Sequence, residues 1–328
     1  MKAPVSTRLL RETDLPEAGR IVRLAFGTFL GIPDPENAFP DVDYVTTRWK
    51  ADPEAAFAAE IDGRLVGSNF ATGWGSVGFF GPLTVHPEFW NQGVGESLME
   101  PVMERFARLR NTHNGLYTFP HSPKHLHLYQ KFGFWPRFLT ALMSLPVGEA
   151  ATDSHRTRYS EAPPEQQESL RRACREVTDA IYEGLDAGRE IRAAEEQRLG
   201  DTVLIWDGAK LAGLAVCHCG PGTEAGNGAC YAKFGAVRPG PTAPGNFHRL
   251  LDGCLVLVAS RRTGPLALHR RSEPGPARSL SSDARARLSN GLSGRRHAPP
   301  QRAGLQPSRR LRPGRLALAR NYMAGVPA

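Results

Sequence analysis

Residues 83–103 read LTVHPEFWNQGVGESLMEPVM, an apolar strand that passes through a glycine-containing turn directly into an amphipathic helix. The turn itself is QGVGES, residues 92–97. Glycines let the backbone approach a bulky anion, and the unpaired amides in the first turn of the helix point toward it. The stretch therefore indicates a pyrophosphate site, although a two-glycine turn before a helix is often merely a connection.

The helix that begins at this turn carries one apolar stripe. Leu98, Val102, Phe106 and Leu109 recur at helical intervals, which places them on a single face. Pro101 interrupts this stretch, and a proline beyond the first turn removes an amide from the hydrogen-bond ladder of a helix. We therefore predict a helix here that Pro101 can bend.

The elements around this stretch alternate between helical and strand patterns. A helical period over 15–29, with Asp14 as its cap, precedes a strand–turn–strand pattern around Asp62-Gly63. The other predicted elements are a strand over 76–85, the helix just described, a strand over 115–120, a helix over 124–132 and a strand over 138–147. This order, α-β-β-β-α-β-α-β, predicts an α/β (α+β) domain over residues 1–148.

The turn and the strand before it resemble the acetyl-CoA signature of the GNAT superfamily of N-acetyltransferases. In that signature a strand and Val-x-Pro precede Gln/Arg-x-x-Gly-x-Gly/Ala, and Gln92, Gly95 and Ser97 occupy its three defining positions. Ser97 stands where the family has Gly or Ala. The resemblance implies a mixed, mostly antiparallel sheet flanked by helices. A P-loop fits worse because Gly-Lys-Ser/Thr is absent, and a Rossmann fold would begin with a strand.

The resemblance also implies how acetyl-CoA, the co-substrate, is held. The backbone of residues 83–85 is expected to pair with the pantetheine amides like an added strand. Ser122 takes the place where the family often has an asparagine beside the pantetheine arm. The complete set of expected coenzyme contacts is Leu83, Thr84, Val85, Gln92, Gly93, Val94, Gly95, Glu96, Ser97 and Ser122. No metal is implied.

Tyr129 precedes Gly133-Phe134 in a stretch that resembles a second landmark of the family. The resemblance implies that Tyr129 is the general acid, which protonates the departing thiolate after the amine attacks the thioester directly. The alternative is that Tyr129 is a half-buried core aromatic. The general base is not identified by the sequence. Candidates near predicted strand ends are Glu60, His86 and His121, and a water chain could replace them all.

Residues 149–168 are polar and contain Pro-Pro, so we predict a linker there. Residues 169–262 repeat the outline of the first 148 residues: a helix with Val177, Ile181 and Leu185, a hairpin around Asp207-Gly208, and a strand that ends in Val-x-Pro. No Gln-x-x-Gly-x-Gly/Ala follows this Val-x-Pro. We therefore predict a tandem protein of two GNAT-like lobes, the second truncated, degenerate and without coenzyme, packed against or completing the substrate cleft.

Residues 263–328 differ in composition from the rest of the chain. They hold 13 Arg, no Lys and 2 acidic residues, whereas the whole chain carries a net charge of +8. One interpretation is a basic arm that binds nucleic acid. We favour another, in which this segment is translated out of frame, because GC-rich codons read out of frame yield Arg, Pro, Ala and Gly. The tail can be back-translated with synonymous codons so that reading begins one nucleotide later. The peptide encoded in that frame then contains a helix pattern, a Gly-Phe pair and two strand-like runs. We predict a disordered tail.

The five cysteines are sparse and odd in number, which favours a reduced compartment over a disulfide framework. Cys217-His218-Cys219 lacks the spacing of a zinc site, and its histidine faces away from both thiols if the stretch is a strand. No run of roughly 18 apolar residues occurs, and the first 20 residues lack a signal-peptide pattern. We expect a cytoplasmic protein with no membrane partner.

These observations predict an N-acetyltransferase that moves an acetyl group from acetyl-CoA to a primary amine of a small molecule or peptide. Two alternatives remain, an acyl-CoA-binding pseudoenzyme without turnover and, less favoured, a nucleic-acid-binding protein that uses the Arg-rich tail. Residues 26–44 are expected to line the acceptor entrance, where their aromatic and acidic residues suit a cationic amine. The sequence specifies neither the acceptor nor the oligomeric state.

Overall fold

The computed structural model describes residues 4–139, 143–146, 156–261, 315–318 and 322–326. We call residues 4–139 the first lobe and residues 156–261 the second lobe. The elements of the first lobe are β1 (Ser6–Leu9), α1 (Leu15–Phe29), α2 (Val45–Ala51), β2 (Ala56–Ile61), β3 (Arg64–Trp74), β4 (Val77–Phe80), β5 (Thr84–Val85), α3 (Val94–Leu109), β6 (His113–Thr118), α4 (Pro123–Lys131) and β7 (Trp135–Leu139). The predicted α/β class is confirmed.

Two layers of helices enclose the sheet of the first lobe. The apolar stripe of α1 packs on one sheet face, where Ile21 and Val22 are buried together with Phe70. The stripe of α3 packs on the other face, with Leu98 and Phe106 buried there. Helix α1 has the predicted bounds because its apolar residues recur every three to four positions. Asp14 occupies the N-cap position as predicted, but its carboxylate accepts hydrogen bonds from Arg8 and makes no capping bond to α1.

The hairpin between β2 and β3 turns at Asp62-Gly63, as predicted, with φ of 50° and 75° at these two residues. Such a two-residue turn needs positive φ at both positions, which glycine adopts at no steric cost. The strand predicted over 76–85 is divided into β4 and β5 instead. Pro82 stands at the division and has no amide hydrogen to continue a ladder. Strand β4 pairs with β3 and β6, whereas β5 pairs only with β3.

The second lobe follows the element order from β1 to α3, except that one long strand, β12, takes the place of β4 and β5. Its elements are β9 (Arg156–Arg158), α5 (Pro164–Asp179), α6 (Gly188–Glu196), β10 (Gly200–Asp207), β11 (Lys210–Gly220), β12 (Gly226–Val237) and α7 (Ala243–Arg261). Helices α5 and α6 cover one face of the sheet over Leu204 and Leu214, and α7 covers the other over Val203 and Ile205. The turn at Asp207-Gly208 matches the prediction.

The predicted linker over 149–168 was wrong at its C-terminal end. Residues 156–158 pair with β10 as strand β9, because backbone hydrogen bonds need no apolar side chain. Pro164 begins α5, since a proline is well placed at the first helical position. Helix α5 ends at Asp179, so Ile181 and Leu185 lie beyond it rather than inside it. Residues 149–155 lie outside the described residues.

The strand predicted over 138–147 is also divided. Strand β7 belongs to the first sheet, and β8 (Met143–Pro146) belongs to the second. Strands β13 (Arg315–Leu318) and β14 (Tyr322–Val326) come from the predicted tail. The strand order is β1-β2-β3-β4-β6-β14-β7 in the first sheet and β8-β13-β12-β11-β10-β9 in the second. The backbones of β13 and β14 pair with strands of the two sheets. The rest of 263–328 lies outside the described residues.

None of the helices in the described ranges combines the length and apolar character that crossing a lipid bilayer demands.

Candidate functional site

The division between β4 and β5 opens the first sheet. Strands β4 and β6 run parallel and in register as far as Phe80 and Leu116. Beyond that point β5 turns toward β3, with Thr84 opposite Ser68, while β6 continues to Thr118. A cavity of about 370 Å³ lies beside this opening and reaches the first turn of α3.

Eight of the ten predicted coenzyme residues line this cavity. They are Leu83, Thr84, Val85, Gly93, Val94, Gly95, Glu96 and Ser122. Gln92 and Ser97 are outside the lining, because both side chains turn to nearby carbonyls: Gln92 Nε2 donates to Glu88 O (2.9 Å) and Ser97 Oγ donates to Gly93 O (3.5 Å). The structure therefore brings most of the predicted set together around one space.

The first turn of α3 depends on its two glycines. Gly93 has a φ of +87°, a left-handed conformation that a residue with a Cβ adopts at a cost. Its carbonyl accepts the amides of Glu96 and Ser97 at 3.0 and 3.1 Å, so the amides of residues 94 and 95 precede the first bond of the helix. A Cβ on Gly95 would lie 3.3 Å from Leu128 Cδ2. The glycine thus preserves the width of the cavity.

The charges at the cavity favour an anion over a cation. The Glu96 carboxylate accepts a hydrogen bond from Lys131 Nζ, which compensates its charge. Lys124 Nζ lies 5.4 Å from the centre of the Trp90 ring, and desolvation lowers the Lys124 pKa. Both Lys124 and Trp90 line the cavity beside the amides at the start of α3.

The Trp90 side chain binds a backbone carbonyl, that of Val85, which the sequence analysis assigned to the coenzyme. Its indole Nε1 donates to Val85 O at 2.7 Å. The His86 amide donates to Val66 O on β3, and because strand residues alternate, the backbone of Val85 faces away from β3 and that of Thr84 faces it. Of these two residues, Val85 therefore presents its backbone to the opening.

One wall of the cavity is aromatic and combines Phe26 and Phe29, from the stretch predicted to line the acceptor entrance, with Phe119 and His125, which were not predicted. The Phe29 ring lies 4.9 Å from both the Phe119 and the His125 ring centres, and Phe26 lies 6.4 Å from Phe119. Desolvation lowers the His125 pKa, so its imidazole favours the neutral form. Sequence reasoning missed Phe119 and His125 because α1 and the chain after β6 meet only in the folded lobe.

The acidic residues of 26–44 do not line the cavity. Glu36 accepts from Arg20 at 2.7 Å, Asp34 accepts from Asn37 at 2.8 Å, and Asp43 accepts from the Thr46 amide at the start of α2. These carboxylates are used for local structure. The expectation from the sequence that these carboxylates attract a cationic amine is therefore not supported by the cavity lining.

Tyr129 is buried in the core between α4 and the sheet. Its ring lies edge-on to Phe80, with ring centres 5.8 Å apart, and it is not part of the cavity lining. Burial raises the pKa of Tyr129 to about 12, opposed by a hydrogen bond to the Thr118 side chain. The hydroxyl thus keeps its proton and has a protein partner.

The three candidate general bases lie outside the cavity lining. Glu60 accepts from Arg8 Nε at 3.0 Å, and His121 stacks on Phe29 at 5.7 Å. His86 Nδ1 accepts from the Glu88 amide at 3.4 Å, and desolvation lowers the His86 pKa. Each of the three side chains therefore has a local partner.

A buried charge network connects the second lobe to the division between β4 and β5. Arg48 on α2 donates to Gly81 O and, through Nε and Nη2, to both oxygens of Glu224 at 2.9 Å. Lys233 Nζ bridges Glu224 and Glu190 at 2.9 Å each. Although burial opposes ionisation, Arg48 and Lys233 hold the pKa of Glu224 well below its usual range. The second lobe thus fixes a guanidinium at the strand division.

Across the described ranges, the His, Cys, Asp and Glu side chains form no group of three or more that could hold a metal ion.

Residues 24–134 match the model of the Acetyltransferase (GNAT) family. The matched segment contains every residue that lines the cavity. No curated protein matches the sequence.

Solved structures that resemble the chain include an acetyltransferase from each of two organisms. A GCN5-related N-acetyltransferase from Sphaerobacter thermophilus has a TM-score of 0.51 at 16% identity, and the match covers 78% of this chain and 83% of that one. A putative acetyltransferase from Pyrococcus horikoshii has a TM-score of 0.47 at 15% identity, with 65% and 71% covered. The likeness to the Sphaerobacter protein is one of fold, and it extends beyond the first lobe.

Proposed function

We propose that the GNAT acetyltransferase domain of this chain binds acetyl-CoA in the cavity beside β5 and β6 and transfers the acetyl group to a primary amine. The observation that carries the proposal is the opening between these strands, which leads to the glycine turn of α3 inside the segment that the family model matches. The pyrophosphate would meet the amides of Val94 and Gly95, and the pantetheine arm would run between the strands.

The residues around the cavity fit this co-substrate. Glu96 would repel phosphates if it were unpaired, but Lys131 neutralises it. Ser122 Oγ accepts the His125 amide at 3.3 Å, which leaves its own hydroxyl proton free for a carbonyl of the pantetheine arm. Val85 would pair with a pantetheine amide once the Trp90 indole releases its carbonyl. The arrangement supports coenzyme binding with a small movement of one side chain.

The proposed reaction is a direct transfer without an acyl-enzyme. The amine nitrogen attacks the thioester carbonyl, a C–N bond forms, and the C–S bond breaks to release the coenzyme thiolate. Tyr129 is proposed to protonate that thiolate, because its raised pKa keeps the phenol protonated. For this step the Tyr129 hydroxyl must break its hydrogen bond to the Thr118 side chain and donate to the coenzyme sulfur instead. The attacking nitrogen loses its extra proton to water as the amide forms, and Tyr129 regains a proton from water.

The second lobe is proposed to be a degenerate GNAT-like lobe that supports the first. Its shared element order and the extent of the fold likeness favour this interpretation. Its α7 follows Arg238-Pro239-Gly240-Pro241 without the Gln-x-x-Gly turn. Its proposed contribution is Glu224, which holds Arg48 at Gly81 on the acceptor side of the coenzyme.

A second candidate function is a coenzyme-binding module without turnover. Two observations favour it: the Tyr129 hydroxyl is bonded inside the core, and the Trp90 indole already takes the Val85 carbonyl. The two functions differ in turnover and agree in binding. A small molecule or a peptide would be the acceptor only under the first.

The test measures binding and turnover on the full chain. Calorimetry with coenzyme A and acetyl-CoA reports binding, and release of free thiol with a panel of amines and peptides reports transfer. Gly95→Val should abolish binding, because its side chain would meet Leu128. Gly235→Val is the matched control, since nothing lies within 4 Å of a Cβ at that exposed position. Binding without thiol release selects the second function, and a folded protein that binds no coenzyme contradicts both.

A further inference from the structure

Four of the five cysteines meet on one face of the second sheet, outside the proposed coenzyme site. Cys217 and Cys219 alternate along β11, Cys230 lies on β12, and Cys254 comes from α7. Cys219 Sγ lies 3.2 Å from Cys230 Sγ, and Cys217 Sγ lies 3.7 Å from Cys254 Sγ. All five cysteines are free thiols, and Cys174 lies apart in the other core cluster of the lobe.

Cys219 and Cys230 form a cross-strand pair that is suited to a covalent bond. They are direct partners in the antiparallel register of β11 and β12. The Cys219 amide donates to Leu199 O at 2.7 Å, on the side away from β12. The pair is therefore of the non-hydrogen-bonded type, in which Cα atoms approach to about 4.5 Å and side chains are closest. Disulfides span Cα separations of roughly 4.4 to 6.8 Å.

The surroundings favour reaction at this pair over the other thiols. Cys219 is the one cysteine of the five that is not buried. Hydrogen bonds from Cys217 and Cys219, with the Arg261 charge, lower the pKa of Cys230 well below the usual thiol value. The buried Cys230 sulfur therefore lies 3.2 Å from the sulfur of a partly exposed cysteine, an arrangement in which oxidation of one thiol places its partner within reach.

We propose that Cys219 and Cys230 are a reversible oxidation site, at which a hydroperoxide converts the two thiols into a cross-strand disulfide. Cys219 loses its proton to water, and its thiolate attacks a peroxide oxygen, which breaks the O–O bond and releases hydroxide. That hydroxide takes the proton of the Cys230 thiol to form water. The Cys230 thiolate then attacks the sulfenic sulfur of Cys219, the S–S bond forms, and a second hydroxide leaves. The two sulfurs lose two electrons and hydrogen peroxide gains them.

The bond would close the hairpin that contacts the first lobe. Between the two cysteines lies the turn where Thr223 O accepts the Asp43 amide at 3.0 Å and where Glu224 binds Arg48. A cross-link at the base of this hairpin restricts the motion of that turn. Oxidation should therefore slow proteolysis within residues 220–229 of the full chain.

The test treats the purified full chain with hydrogen peroxide, alkylates the remaining thiols under denaturing conditions, and maps cross-linked peptides by mass spectrometry. We expect one cross-link, between Cys219 and Cys230, two hydrogen atoms lighter than the reduced pair and reversed by a thiol reductant. Cys174→Ser should retain it. In Cys230→Ser, a dimedone-trapped sulfenic acid should accumulate on Cys219, which reports the chemistry without the cross-link.

Three outcomes would overturn the proposal. One is complete alkylation of both cysteines after peroxide treatment. Another is a predominant bond between Cys217 and Cys254. The third is a stoichiometric metal ion in the purified protein that protects all four thiols, which would make the cluster a metal site.

Discussion

The proposed role of Tyr129 as the general acid can be tested by a single substitution. Tyr129→Phe should lower kcat by about 10²-fold, because general acids contribute at least this factor, while KM for acetyl-CoA stays unchanged. Burial raises the pKa of the phenol to about 12, so the acid stays protonated and the wild type should show no alkaline loss from this group below about pH 11. Steady-state thiol release across pH measures both effects.

The control for this substitution is Tyr182→Phe, which removes a hydroxyl near Thr112 on the surface between the lobes. It should leave the kinetics unchanged. If Tyr129→Phe also retains full kcat, Tyr129 is only a core aromatic and another group protonates the thiolate.

Trp90 competes with the proposed coenzyme for Val85 O. Trp90→Phe removes this hydrogen bond, which is worth about 1 kcal/mol, so coenzyme A should bind several-fold more tightly. Calorimetry measures the change, and Trp135→Phe, at an exposed tryptophan outside the cavity, is the control. Weaker binding in Trp90→Phe would show that the indole contacts the coenzyme instead.

His218 gives the second lobe a pH-dependent stability. Both ring nitrogens are buried without a hydrogen-bond partner, and burial lowers the pKa of His218 to about 4. The unfolded chain takes up a proton at this histidine as the pH falls below about 6.5, whereas the folded protein does so only near pH 4. The contribution of neutral His218 to the free energy of unfolding is therefore complete above about pH 6.5 and is lost as the pH falls toward 4. The loss from this group should reach about 3 kcal/mol.

Urea denaturation of wild type and His218→Leu between pH 4 and pH 7 checks this prediction. The variant should show a flatter dependence over this window. Glu224 contributes at lower pH, because its depressed pKa preserves stability until the pH falls below its unfolded value. An unchanged slope in the variant would assign the window to other groups.

At the scale of elements, α3 carries a proline that lies outside the cavity lining. Pro101 lies in the helix interior, where it cannot donate to the carbonyl of Ser97 and crowds it. Pro101→Ala should raise the free energy of unfolding by about 1–3 kcal/mol and leave coenzyme binding intact. Thermal and urea denaturation measure the gain, and a destabilised variant would show that the ring packs productively.

The elements that sequence reasoning found are those with strong local signals. The apolar period fixed α1, and Asp-Gly pairs marked the turns of both hairpins. Strand β9 was missed because RTR has no apolar residue and depends on its partner β10. The division between β4 and β5 was missed because an apolar run hid Pro82, although the proline was a visible signal.

The same distinction applies to the candidate site. The glycine turn was predicted because its chemistry is local and its residues are contiguous. Other parts of the site join residues that are distant in sequence, as in the aromatic wall around Phe29 and the Arg48–Glu224 pair. The direction of the Trp90 indole is decided by packing. No periodicity in the chain could indicate these contacts.

At the scale of the whole molecule, Glu224 links the two lobes. Glu224→Gln leaves Arg48 and Lys233 buried with less compensating charge, so the free energy of unfolding should fall by about 3–5 kcal/mol. Glu176→Gln, which weakens an exposed pair with Arg238, should change it little. Urea denaturation compares the two, and equal effects would mean that the network contributes no special stability.

The out-of-frame origin of residues 263–328 stays a prediction about the gene. Resequencing across the codon for Thr263 should find a missing or an extra base. The restored frame should complete the second lobe with a helix and strands in place of the Arg-rich segment. An uninterrupted frame at that codon would contradict the prediction and return the basic tail to consideration.

The contacts of Trp90 also make its fluorescence a reporter of ligand binding. One indole donates to Val85 O and lies under the Lys124 charge, and both features influence its fluorescence. A pyrophosphate that draws the lysine away and a pantetheine arm that takes the carbonyl would alter the emission separately. Rapid mixing with coenzyme fragments could therefore time the docking of each end of the molecule.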